Sequence, residues 1–138
     1  MPITPKKRSS IVLLALLAFA AVVAPAGADR RPTNAERTAI KRVALKTCRA
    51  AAPDDCRFAG ARVSTANTRF AWASVIGEGY SGALLRRPTK RSRRFRVVGE
   101  QGGGIGECSY WRARAPRRVL RDLRIRGLVN DTDVRNCG

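Results

Sequence analysis

Side chains able to perform acid–base or nucleophilic chemistry are scarce in this chain of 138 residues, which contains no histidine. Imidazole-based catalysis and His-ligated metal sites are therefore excluded, and the serines have no histidine to act as their base. The catalytic pattern that remains is a pair of carboxylates, as in glycoside hydrolysis. Glu78, Glu100 and Glu107 lie beside glycines, and an ordinary surface ion pair is the alternative interpretation for each. We predict a non-enzymatic protein with no cofactor and no bound metal ion.

Residues 1–28 have the pattern of an export signal. Three basic residues at positions 6–8 precede fourteen uncharged, apolar residues at 11–24, and small residues lead up to Ala28. As a helix the apolar run spans roughly 21 Å, less than the ~30 Å hydrocarbon core, so we expect no transmembrane anchor in the mature chain. Cleavage after Ala28 leaves 110 residues with 25 basic and 10 acidic side chains, a net charge of +15. The mature protein is predicted to be secreted.

The cysteines are the other reactive side chains, and all of them follow the export signal: Cys48, Cys56, Cys108 and Cys137. An even number in an oxidising compartment predicts two disulfides. We favour the Cys48–Cys56 and Cys108–Cys137 pairs because each closes the shorter loop, although sequence alone leaves the other pairings open. A zinc site is the alternative, but no Cys-x-x-Cys spacing is present.

Most of the basic residues fall into two groups. The first basic cluster surrounds a predicted hairpin and consists of Arg86, Arg87, Lys90, Arg91, Arg93, Arg94 and Arg96. The second basic cluster begins before a predicted helix and continues along it; it consists of Arg112, Arg114, Arg117, Arg118, Arg121, Arg124 and Arg126. If both clusters lie on the same side of the domain, they would form a patch that attracts phosphate-rich or carboxylate-rich polymers. A solvated basic face, enriched in arginine by GC-rich codons, is the competing interpretation.

Aromatic side chains adjoin the second basic cluster. Tyr110 and Trp111 precede Arg112 and Arg114, so their rings are candidates for stacking on bases or sugars. Packing in the core at the end of a strand is the alternative role, and sequence does not exclude it.

The elements that must position these residues follow from hydrophobic periodicity. A capping box of Thr33 and Glu36 opens a helix over residues 34–52, and small residues form its apolar face, which favours close packing against a sheet. Alternating patterns then predict strands near residues 62–66, 70–76, 80–87, 93–99 and 108–111, and Pro116 begins a short helix to about residue 124. In the strand at residues 70–76, the bulkier face is predicted to point inward; it consists of Phe70, Trp72, Ser74 and Ile76. We predict one α+β domain over residues 34–138, after a leader at 29–33. Its long N-terminal helix packs on a curved antiparallel meander of about four strands, with a short C-terminal helix.

A series of short motifs runs through residues 35–137. They are Val63-Ser64, Phe70-Ala71-Trp72-Ala73, Leu84-Leu85-Arg86-Arg87, Phe95-Arg96-Val97-Val98-Gly99, Cys108 and Pro116-Arg117-Arg118-Val119-Leu120-Arg121-Asp122-Leu123. In these motifs the chain resembles small exported proteins of unassigned function from high-GC bacteria, with Phe95 where a Trp is common. The resemblance implies a helix and an antiparallel sheet, in a shape similar to cystatin or nuclear transport factor 2. It implies no catalytic residues.

Together these features predict an exported, non-enzymatic domain that binds anionic polymers or surfaces at the cell envelope through an arginine-rich face. One alternative is a cystatin-like inhibitor or protein-binding module that uses the loop at residues 99–106 and the turn at residues 77–79, with a protein as its partner. Another is a small glycosidase built on a carboxylate pair.

Overall fold

The computed structural model of the protein describes residues 29–138, so the export signal predicted over residues 1–28 lies outside the described residues. The first element, α1, is a helix over Asn34–Ala51. The predicted capping box is present: the Glu36 N–H donates to Thr33 Oγ1 at 3.2 Å, and the Thr33 N–H donates to Glu36 Oε2 at 2.9 Å. The preceding leader is held as well, because Arg30 and Val63 exchange two backbone hydrogen bonds.

Four strands follow α1 and form an antiparallel sheet in chain order. They are β1 (Arg57–Val63), β2 (Phe70–Gly77), β3 (Tyr80–Arg86) and β4 (Arg96–Gly102). Both faces of β2 and β3 are covered, so alternate side chains enter two separate cores. This confirms the predicted α+β meander.

The first core lies between α1 and the sheet. Ile40, Ala44 and Cys48 of α1 are fully buried against small sheet residues such as Ala71 and Ala83. Small side chains on both surfaces let the helix lie close to the sheet. The small-residue face of α1 was predicted to make this contact, and the structure confirms it.

The second core lies on the opposite face of the sheet. It is covered by α2 (Cys108–Arg112), α3 (Arg117–Asp122) and a hairpin of β5 (Arg126–Asn130) with β6 (Asp133–Asn136). Trp72 and Leu84 of the sheet pack here against Trp111, Leu120 and Leu123. No helix within residues 29–138 has the length and apolar character needed to cross a membrane.

A buried carboxylate fixes this second layer to the β1–β2 turn. Asp122, at the end of α3, is 2% exposed. One of its oxygens accepts hydrogen bonds from the Ser64 hydroxyl at 2.6 Å, from the Thr65 N–H at 2.6 Å and from the Ala66 N–H at 3.1 Å. These bonds join segments that are almost sixty residues apart in the chain.

The two disulfides have the predicted pairing, Cys48–Cys56 and Cys108–Cys137. Cys48 belongs to the first core, whereas Cys108 and Cys137 belong to the second. Each core therefore contains one bridge.

Several predictions of secondary structure and of side-chain burial were wrong. Residues 108–111 form helix α2 rather than a strand, because Cys108, Trp111 and Ala115 are buried at helical spacing. The first strand ends at Val63 instead of beginning near it, and the C-terminal hairpin was not predicted. Ile76, expected on the inward face of β2, is 55% exposed.

Candidate functional site

Arg87 does not belong to an exposed basic surface, although it was predicted in the first basic cluster. Its side chain is buried, with the residue 3% exposed. The guanidinium contacts Glu36 Oε1 at 2.9 Å and donates to the backbone carbonyls of Thr68 and Ser92. It also lies 5.0 Å from the ring centroid of Phe95. All of these contacts are internal, so Arg87 has a structural role.

Glu36 is the common partner in this internal ion cluster. Arg30 donates to both carboxylate oxygens, at 2.8 and 2.9 Å, and Arg87 approaches from the β3–β4 side. The hydrogen bonds from Arg30 lower the pKa of Glu36 from 4.5 to about 2, helped by the Thr33 N–H and by the charge of Arg87, while burial opposes the change. The cluster joins the start of α1 to the end of β3.

Arginines near the β3–β4 loop surround an open cavity of about 380 Å³, which we call the arginine groove. It is lined by Arg69, Arg86, Arg87, Pro88, Arg94, Phe95 and Arg96. No carboxylate is among these residues. Within residues 29–138, Arg69, Arg86, Arg94 and Arg96 make no ion pair, in contrast to Arg87. The groove therefore gathers several uncompensated positive charges around apolar side chains.

Strand pairing explains how these arginines meet. Arg86 ends β3 and lies opposite Arg96 at the start of β4, and it lies opposite Phe70 on β2. Its guanidinium carbon is 5.6 Å from the Phe70 ring centroid, which holds the side chain against the sheet. Arg94 is set by a turn in which its N–H donates to the Ser92 hydroxyl.

Arg69 was not among the predicted site residues. It directly precedes β2, and its Nε donates to the Arg87 carbonyl oxygen at 3.1 Å, so it lies beside the end of β3. The antiparallel pairing of Phe70 with Arg86 is the signal that places it there. That signal depends on strand register, which composition and charge runs do not contain.

The remaining predicted arginines lie around the groove or on the second layer. Lys90, Arg91 and Arg93 are exposed on the β3–β4 loop and do not line the groove. On the second layer, exposed residues include Arg112, Arg114, Arg117, Arg118 and Arg121. This layer covers the face of the sheet on which Arg86 contacts Phe70. Both basic clusters therefore contribute to the same side of the sheet.

Two members of the second cluster are held by internal contacts as well. Arg112 donates from Nε to the Cys137 carbonyl oxygen at 3.0 Å. Arg114 lies 3.5 Å from the Tyr110 ring centroid and donates to the Tyr110 carbonyl oxygen. Arg124 and Arg126 border a different cavity, together with Arg62.

The predicted carboxylates are partly brought together. Glu100 and Glu107 border one cavity of about 340 Å³, which we call the glutamate cavity; Glu78 does not. The lining of the glutamate cavity consists of Glu100, Gln101, Gly102, Gly104, Gly106, Glu107, Tyr110 and Trp111. Trp111 is 1% exposed and packs edge-on against Trp72 at 5.6 Å, so its ring is a core group and not a stacking platform.

The two turns considered for protein binding lie side by side. Gly79, with a φ of +66°, forms the tight β2–β3 turn, a conformation that glycine adopts readily. Gly102 is paired with Tyr80 at the same end of the sheet, and Gly103 lies close to Gly79. The turn at residues 77–79 therefore lies beside Gly102 and Gly103, which belong to the loop at residues 99–106, and together they form one edge of the domain.

Comparisons of the chain with protein-family models, with curated proteins and with solved structures find no match. Its function is therefore inferred from the arginine groove and the glutamate cavity.

Proposed function

We propose that the protein is an exported, non-enzymatic domain that binds an anionic polymer at the cell envelope through the arginine groove. The observation that carries the proposal is the convergence of Arg69, Arg86, Arg94 and Arg96 on one cavity without a carboxylate in its lining. Like charges at such a site repel each other unless an anion lies between them. A bound anion relieves that repulsion.

The chemistry of the groove favours phosphate or carboxylate groups. Guanidinium is planar and presents paired N–H donors that match two oxygens of one anionic group, which ammonium does not. Arg86 is held against Phe70, so less side-chain freedom is lost when an anion binds. The Nε of Arg86 is buried and has no hydrogen-bond partner within residues 29–138.

A polymer fits better than a single small anion because the positive charge continues beyond the groove. Lys90, Arg91 and Arg93 extend it along the β3–β4 loop. Arg117, Arg118 and Arg121 are exposed on α3, in the layer on the same side of the sheet as Arg86. A chain of repeated anionic groups would contact the groove and these flanking residues together.

The proposed location outside the cytoplasm is supported by the two disulfides. Such bridges persist in oxidising compartments and are rare in the cytosol. The signal pattern of residues 1–28 is consistent with that location.

The experiment is a titration with inorganic polyphosphate at several salt concentrations. We expect log Kobs to fall linearly with log[salt], as counterions are released from each contacted phosphate. Replacing Arg86, Arg94 and Arg96 together by Gln should weaken binding and reduce the magnitude of the slope, by about 0.7 for each lost contact if polyphosphate behaves as single-stranded nucleic acids do.

The matched control removes the same charge from the exposed side of α1. Arg42, Lys46 and Arg49 are exposed there, and their triple Gln variant changes the net charge equally. We expect this control to keep most of the affinity and most of the slope. Equal losses in the two triple variants would show that net charge, and not the groove, controls binding.

A further inference from the structure

The glutamate cavity contains carboxylates that the many arginines do not neutralise. Within residues 29–138 neither Glu100 nor Glu107 makes an ion pair. One oxygen of Glu100 accepts a hydrogen bond from the Tyr80 hydroxyl at 3.4 Å, and one oxygen of Glu107 accepts from the Ser109 hydroxyl at 3.0 Å. In that part of the chain the second oxygen of each carboxylate has no hydrogen-bond partner. Two free acceptors therefore border the cavity.

An unpartnered donor lies at the same cavity. Trp111 is 99% buried, and its indole Nε1 has no hydrogen-bond partner within residues 29–138. The benzene edge of the indole lies under Gly99, whereas Nε1 faces Gly106. A Cβ added to Gly106 would lie 3.9 Å from Nε1, so glycine leaves the approach to this N–H free of a side chain. A buried donor without an acceptor is energetically unfavourable, so an acceptor oxygen supplied by a ligand would stabilise it.

Tyr110 supplies another donor. Its hydroxyl oxygen accepts from the Glu100 N–H at 3.0 Å, and its own O–H has no acceptor within residues 29–138. The Gln101 side chain also borders the cavity and offers both a donor and an acceptor. The cavity thus combines acceptors that need hydroxyl or amide donors with donors that need a carbonyl oxygen.

We propose that the glutamate cavity binds an N-acylated sugar unit, such as N-acetylhexosamine within a polysaccharide. Sugar hydroxyls donate to Glu100 and Glu107, and the acyl carbonyl oxygen accepts from the Trp111 N–H after entering beside Gly106. The acyl methyl group and the C–H face of the sugar ring meet the wall formed by Gly102, Gly104 and Gly106. This site is distinct from the arginine groove and does not depend on the function proposed for it.

A neutral ligand fits this cavity better than an organic cation. Arg114 lies directly over the Tyr110 ring, which places a positive charge next to the site. The chain after residue 28 also carries a net charge of +15, which repels a cation as it approaches. An ammonium or guanidinium group, moreover, offers no acceptor for the Trp111 N–H.

The test uses the β-1,4-linked trimer of N-acetylglucosamine as the probe and NMR of the indole N–H groups as the readout. The chain has two tryptophans, so its spectrum contains two indole N–H signals. We expect the trimer to shift the Trp111 signal. The affinity of the protein for the trimer should be the same at low and at near-molar salt. Glucosamine and glucose, which lack the acyl carbonyl, should bind more weakly.

Variants separate the proposed contacts from general effects. Glu100→Gln and Glu107→Gln should each weaken trimer binding about tenfold, the usual effect of losing one charged hydrogen bond. Gly106→Ala should weaken it similarly, since the added methyl group meets the indole at ordinary contact distance without disturbing the fold. Glu78→Gln, at an exposed turn outside the cavity, is the control and should bind as wild type does.

Three results would overturn the proposal. They are an unmoved Trp111 signal at millimolar trimer, glucosamine binding as tightly as the trimer, and equal losses in Glu78→Gln and Glu100→Gln. Polyphosphate binding is measured on the same samples. If only the trimer binds, the function proposed for the arginine groove fails and the proposal for the glutamate cavity stands. If only polyphosphate binds, the reverse holds.

Discussion

Replacement of Arg87 by Met should strongly destabilise the fold, although Met is similar in length and apolar. Arg87 is 3% exposed, and its guanidinium contacts the Glu36 carboxylate and two backbone carbonyl oxygens. Removing one partner of a buried ion pair costs about 3–5 kcal/mol, because the remaining charge stays buried. Glu36 keeps its hydrogen bonds from Arg30 and Thr33, so we expect the lower end, about 3 kcal/mol.

The assay is urea unfolding with the disulfides intact, followed by tryptophan fluorescence. With m near 1–3 kcal/mol/M, a loss of about 3 kcal/mol lowers the midpoint by about 1–3 M urea at constant m. Arg94→Met is the matched control: Arg94 is exposed and makes no ion pair within residues 29–138, so its free energy of unfolding should change by at most about 0.5 kcal/mol. The reasoning is refuted if Arg87→Met loses less than about 1 kcal/mol, or no more than Arg94→Met.

Two other predictions concern acid stability and packing in the sheet. Because the folded-state pKa of Glu36 is about 2, below its ordinary 4.5, its contribution to stability is complete above about pH 4.5 and is lost as the pH falls towards 2. Urea midpoints measured across that range should fall less steeply in Glu36→Gln than in wild type; parallel curves would contradict the assignment. Gly82→Ala should cost about 1–3 kcal/mol, because a Cβ there would overlap the Trp72 ring and lie 2.8 Å from the Ala73 carbonyl oxygen. At Gly60 an added Cβ lies more than 4 Å from every other atom of residues 29–138 that could obstruct it, so Gly60→Ala should unfold at or above the wild-type urea midpoint. Similar losses at both glycines would argue against close packing at Gly82.

Local patterns were sufficient to predict the elements whose causes lie close together in the chain. The Thr33–Glu36 capping box and the helical period of α1 depend on a few neighbouring residues, and the Cys48–Cys56 bridge closes a short loop with a sequence separation of 8. The alternation of β2 was also visible. Its side chains were assigned to one buried face, however, because an alternating pattern does not show that a second layer covers the other face.

The errors arose where long-range contacts decide the outcome. Arg86 and Arg87 are adjacent in an arginine-rich run, yet one borders the groove while the other is buried beside a carboxylate on α1. Strand alternation sends them to opposite faces, and the carboxylate of Glu36 compensates the buried charge of Arg87. Helix α2 is five residues long, so its period is hard to distinguish from that of a strand without the buried spacing of Cys108 and Trp111.

The placement of one disulfide in each core has a consequence for partial opening of the domain. The layer formed by α2, α3 and the β5–β6 hairpin is joined to the β1–β2 turn by the Asp122 carboxylate and carries its own Cys108–Cys137 bridge. Loss of that bridge would loosen this layer as a cooperative unit while α1 stays fastened to the sheet. The intermediate would expose the aromatic side of the sheet, including Trp72, and would be prone to aggregation. Recovery of soluble, folded protein would then depend more on the oxidation of the C-terminal cysteine pair than on that of the N-terminal one.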